Sequence, residues 1–117
     1  MSKNTWFKTF PGALMVTDKD GKIINMNDPS AENYKKDGGY DLLGTNAIMC
    51  HQGPSLKKIE ELYQSHEINT YTISKDGKKK LIYQAPYFEN GEFAGMVELS
   101  LPLPDMMPHY DRDATKK

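Results

Sequence analysis

Short stretches of alternating apolar and polar residues, broken by glycine-containing turns, account for most of the chain. Asp20-Gly21, Asp76-Gly77 and Asn90-Gly91 each lie between segments of strand character. Asp-Gly and Asn-Gly supply the positive φ angles that tight hairpins need. They predict hairpins joining Ala13–Thr17 to Lys22–Met26, Asn69–Ser74 to Lys79–Tyr87, and that last strand to Glu92–Leu101. In the final strand Phe93, Val97, Leu99 and Leu101 share one side, with Glu92, Glu98 and Ser100 on the other. In the strand before it, Leu81, Tyr83, Ala85 and Tyr87 face together. Strands so patterned make an antiparallel sheet with one buried and one partly solvated face.

Helical signals fall between the first and second hairpins. Asp28-Pro29 predicts a helix start, with Asp28 as the cap and proline in the first turn. This helix runs through Tyr34 and stops near Asp37-Gly38-Gly39. A second helix is predicted from Pro54 to His66, its apolar face formed by Leu56, Ile59, Leu62 and Tyr63. The order β-β-α-α-β-β-β implies an α+β fold with helices packed on one face of a five-stranded sheet. Residues 1–10 form an amphipathic lead-in helix anchored by Trp6, Phe7 and Phe10. One domain spans 1–103, and 104–117 form a tail containing Pro104 and Pro108.

Composition narrows the function classes. A chain of 117 residues, 38% hydrophobic and 26% charged, suits one globular domain. The net charge of −1 lacks the basic excess expected of a nucleic-acid binder. Cys50 is the single cysteine, which excludes an internal disulfide and fits a cytoplasmic setting. No apolar run reaches the length of a secretion signal or a membrane span.

The opening stretch Pro11-Gly-Ala-Leu-Met-Val-Thr-Asp-Lys-Asp-Gly-Lys-Ile-Ile-Asn-Met-Asn27 resembles the start of a PAS domain. The step Leu42-Leu43-Gly44 and the closing Gly95-Met-Val-Glu-Leu-Ser-Leu101 also match that family's order. The resemblance covers residues 5–103. Cys50-His51, Lys80-Leu-Ile-Tyr-Gln84 and Pro108-His109 look, more narrowly, like small stand-alone prokaryotic PAS proteins. The resemblance implies a five-stranded sheet cupping a pocket beneath the helices. Across the family, that pocket holds haem, flavin or a small metabolite, or is filled by side chains. It further implies a sensory or signalling module, not an enzyme, acting through a homodimer or a separate signalling protein.

Individual residues weigh these options. Photosensing relatives carry a reactive cysteine where this chain has Ala47, and a basic residue where it has Ile48, which argues against a photochemical flavin. A haem or redox sensor would draw on His51, His66 and Cys50, since imidazole is a common axial ligand. His66 falls three residues after Tyr63 and seven after Ile59, which places it on the helix's inner face. Cys50-His51 would sit at the pocket mouth and ranks first for ligand sensing, against the plainer reading of a buried cysteine and a hydrogen-bonded histidine. Tyr34, Tyr71 and Tyr83 could orient a polar ligand through their hydroxyls. Gln84 has opposite strand parity to Tyr83, so one of the two at most faces the pocket. No zinc-like ligand spacing, phosphate-cradling glycine loop or Ser-His-Asp set is evident, which ranks a small enzyme third.

Overall fold

A computed structural model describes residues 5–47 and 53–113. The elements are α1 (Thr5–Thr9), β1 (Ala13–Asp18), β2 (Ile23–Met26), α2 (Asp28–Asn33), α3 (Gly53–Ser65), β3 (Asn69–Lys75), β4 (Lys78–Glu89) and β5 (Glu92–Pro102). Two 3₁₀ turns, Lys35–Asp37 and Gly39–Leu42, follow α2 and were not foreseen in the sequence. The five strands form one antiparallel sheet in the order β2-β1-β5-β4-β3. The predicted α+β architecture is therefore present.

The turn chemistry explains the hairpins. Asp76 (φ 54°) and Gly77 (φ 75°) both lie in the left-handed region between paired Lys75 and Lys78. Asn90 (φ 54°) and Gly91 (φ 80°) do the same between Glu89 and Glu92. Two consecutive positive φ angles turn the chain with the twist the strands need. The first hairpin has a longer loop, in which Asp18 Oδ1 accepts from the backbone N–H groups of Asp20 and Lys22.

Asn27, not Asp28, caps α2, because its side chain reaches the helix amide of Ser30. Asn27 has no exposed surface, and every hydrogen-bonding position of its amide is used. Its Oδ1 accepts from Leu14 N (2.8 Å) and Ser30 N (3.2 Å). Its Nδ2 donates to the carbonyls of Gly12 (2.8 Å) and Phe10 (3.4 Å). One side chain thus joins the end of β2, the start of β1, the lead-in segment and α2. At the surface, Lys8 reinforces this joint by pairing with Asp28 at 2.9 Å.

The alternation in β4 and β5 has an unexpected outcome. Residues paired across a ladder point to the same side of the sheet. Ala13, Met15 and Thr17 pair with Ser100, Glu98 and Met96, which in turn pair with Ile82, Gln84 and Pro86. This set faces the helices. The apolar set of Leu14, Val16, Leu81, Ala85, Val97, Leu99 and Leu101 faces away from them and is half-buried. Phe93 does not join that set. A register shift between Tyr87 and Phe88 pairs it with Phe88 and turns it toward α3, where it meets Tyr63 edge-on.

Gly95 sits where β5 passes too close to β1 to admit a side chain. A Cβ there would fall 1.9 Å from the Thr17 carbonyl oxygen and 2.9 Å from the Tyr87 ring. The bare position lets Tyr87 donate its hydroxyl to that same oxygen at 3.1 Å.

Two stability predictions follow from these contacts. Asn27→Ala strips partners from buried backbone groups and lowers unfolding free energy by roughly 3–5 kcal/mol, read from the urea midpoint. Asn33→Ala, at an exposed position of the same helix, is the control and stays within about 0.5 kcal/mol. Gly95→Ala forces two strands apart and costs roughly 2–4 kcal/mol. A wild-type midpoint in Gly95→Ala would show that the strands separate freely there.

Candidate functional site

Between the sheet and the helical segment lies a cavity of about 450 Å³. This is within the usual range of small-ligand pockets. The floor comes from the helix-facing row of the sheet: Met15, Thr17, Gln84, Met96 and Glu98. Ile23 of β2 forms one side, and Leu42 and Ala47 another. The roof is Ile59, Leu62 and Tyr63 of α3, with Leu62 only 2% exposed. Tyr34, the C-cap of α2, enters from its side. Three of the four helix positions predicted as apolar build the roof, because spacings of three and one keep them on a single face, and Leu56 lies outside it.

Most of the lining is apolar, and two of its polar groups, Gln84 and Glu98, stand in a cross-strand row with Asn69, which lies outside the wall. Asn69, Gln84 and Glu98 are direct cross-strand partners on β3, β4 and β5. Asn69 Nδ2 donates to Gln84 Oε1 at 2.8 Å, and Gln84 Nε2 donates to Glu98 Oε2 at 2.8 Å. The Tyr34 hydroxyl donates to the other carboxylate oxygen, Oε1, at 3.2 Å. At the other end of the floor, the hydroxyls of Thr17 and Tyr63 hydrogen-bond to each other. The floor thus holds one carboxylate fixed by two neutral donors.

Burial and this carboxylate both act on the tyrosines. The Tyr34 phenol is pushed well above its ordinary value of 10, first by burial, then by the charge of Glu98 and its hydrogen bond. Tyr63 is also raised, with burial the leading cause. Tyr71 is raised by burial and then by the charge of Glu98.

The sequence-predicted residues separate into distinct places. Tyr34 lines the cavity. Tyr71 pairs with Ile82 and so shares the helix-facing side, on edge strand β3, where it is 43% exposed. Tyr83 is a correction. It pairs with Thr70 and Leu99 on the opposite side of the sheet, and the cavity takes Gln84 instead. His66 is a second correction. The helix ends at Ser65, and His66 turns into the left-handed region (φ 60°), so its side chain leaves the helix face. Its ring stacks on Phe93 at 4.0 Å between centroids, away from the cavity wall. Cys50 and His51 lie outside the described residues.

The sequence does not single out Glu98 as a lining residue, nor Asn69 as the group that holds lining residue Gln84. The strand alternation puts Glu98 opposite Val97 and Leu99 but does not say which side the helices cover. No histidine lines the cavity among the described residues. Of the two histidines named for the alternative haem reading, His66 is outside the wall and His51 lies outside the described residues. Among the described residues, no cluster of three His, Cys, Asp or Glu side chains could hold a metal ion.

No family model matches the sequence, and no curated protein matches it. Solved structures do match. The Aer2 receptor of Vibrio cholerae, a dual PAS-haem oxygen sensor, aligns at TM-score 0.59 and 16% identity over 80% of this chain and 95% of that one. The PAS domain of Bordetella pertussis BvgS aligns at TM-score 0.58 and 15% identity, covering 84% and 81%. The PAS domain of an HTR-like protein from Haloarcula marismortui aligns at 0.60 and 15%, covering 86% and 88%. The chain has the PAS fold. The expected five-stranded sheet cupping a pocket under the helices is what a PAS fold provides, and the cavity lies in that position. Among the described residues, no helix is long and apolar enough to cross a membrane.

The raised Tyr34 phenol gives a pH prediction. Folding favours its protonated form, so its contribution is present below pH 10 and is lost as pH rises toward the folded value. Above pH 10, stability of the wild type should fall more steeply than that of Tyr34→Phe, by up to about 1.4 kcal/mol per pH unit. Denaturant titrations at successive alkaline pH values measure both slopes. Equal slopes would mean that Tyr34 ionises as freely when folded as when unfolded.

Proposed function

We propose that the protein is a sensory PAS module that reads a small ligand in the cavity beneath α3, and that it binds this ligand rather than transforming it. The observation carrying this reading is the cavity itself, apolar over most of its wall and crossed by one hydrogen-bonded polar row. Such a wall supplies affinity through apolar burial and orientation through a few fixed polar groups. The Aer2 receptor, a PAS-haem oxygen sensor of the same fold, supports the same reading by analogy. We further propose that the module self-associates through the side of the sheet opposite the cavity. Its support is the continuous apolar set of Leu14, Val16, Leu99 and Leu101, with Tyr83 still 37% exposed among them.

Native mass spectrometry of freshly purified protein tests both parts. The expected spectrum shows a retained noncovalent mass in the wild type and its loss in Ile59→Trp, which fills the cavity from the roof. Retention of the same mass in a folded Ile59→Trp would place the ligand elsewhere. Tyr83→Glu is expected to shift a dimer to monomer, because a charge on an apolar interface loses its water on association. An unchanged dimer would assign association to another surface.

A further inference from the structure

Among the described residues, the carboxylate on the cavity floor has no cationic partner. Tyr34 and Gln84 satisfy Glu98 with neutral donors, and no ion pair among the described residues includes it. Gln84 cannot turn to offer anything else without breaking a bond, because Asn69 holds its carbonyl end. The described lining holds one more acidic group, exposed Asp37, and no lysine, arginine or histidine. A carboxylate among apolar side chains is costly to keep without an opposite charge nearby. It also has about four acceptor positions, of which two are taken here.

We infer that the cavity takes a small organic cation, a protonated amine carried on a compact apolar body. The inference rests on the ligand-site reading above and assigns that ligand its charge. The ammonium would donate to the open acceptor positions of Glu98 in a charge-assisted hydrogen bond. Tyr34 and Tyr63 are both in the wall, and an aromatic ring attracts a cation that reaches its face. Met15, Ile23, Leu62 and Met96 would enclose the apolar body. An anion of the same shape would meet Glu98 and Asp37 with no compensating charge among the described wall residues.

Three probes of one shape separate charge from size: benzylamine, benzyl alcohol and benzoate. Each is titrated at pH 7 into the full chain, with binding followed by the backbone amide resonances of Met15, Thr17, Met96 and Glu98. Benzylamine is expected to move these resonances and to bind at least about tenfold more tightly than benzyl alcohol, with benzoate weakest. The isosteric Glu98→Gln should bring amine and alcohol to parity. The comparison of the three probes is made on the wild type, so it decides the question even where the variant does not fold. Equal binding of amine and alcohol, or a preference that survives Glu98→Gln, overturns the inference and leaves the ligand site standing. So does a neutral or anionic mass retained in native spectra. Silence of the cavity resonances toward all three probes, together with no retained mass, overturns both readings.

Discussion

The fold depends most heavily on the buried amide of Asn27. The end of β2, the beginning of β1, the lead-in segment and α2 converge on it, and none of them supplies its own partners there. An amide is suited to the task because it offers donor and acceptor ends on one short, rigid group. An aspartate in its place would offer acceptors alone and would face two backbone carbonyls with negative charge. Since α2 leads directly to Tyr34, the same side chain sets where the cavity wall begins.

The sheet carries its polar groups toward the helices and its larger apolar set outward. This inverts the usual expectation for an antiparallel sheet with one covered face. Two things make the inversion stable. The inward polar groups satisfy one another along the row Asn69, Gln84 and Glu98, which lowers the cost of removing them from water. The outward apolar groups are partly shielded by their neighbours, and Phe10 lies against Leu99 and Leu101 beside Gly12. The helical side is thereby left with a real cavity instead of a close-packed core. A few well-buried residues, chiefly Ile23, Met26, Leu62, Ile82 and Met96, hold it together.

Much of the architecture was legible in the sequence because local chemistry dictates it. Asp76-Gly77 and Asn90-Gly91 fix their turns through backbone conformation alone, and the strands follow on either side. The α3 roof was legible for a similar reason, since its periodicity needs only the geometry of one helix. What was not legible depended on distant contacts. Whether Glu98 or Leu99 faces the cavity is a question of which side the helices cover, and alternation is symmetric on that point. Phe93 changed sides because of a register shift that no local pattern announces. His66 left the helix face because the chain turned left-handed one residue after the helix ended. Asn27 takes the cap because its buried amide has four partners there, while the Asp28 carboxylate is engaged by Lys8 and Tyr40.

The position of β1 and β5 side by side at the centre of the sheet has a consequence for how the chain assembles. Their ladder pairs residue 13 with residue 100, so nearly the whole domain lies within the loop that this contact closes. The local hairpins, β1–β2 at one end and β3–β4 and β4–β5 at the other, form from neighbouring sequence, but neither half has a second face to bury until they meet. Loop closure must therefore be met before the central pairing rewards it, which slows folding relative to a helical domain of equal length. During synthesis the early hairpin emerges with one edge unpaired and keeps it so until the last strand arrives.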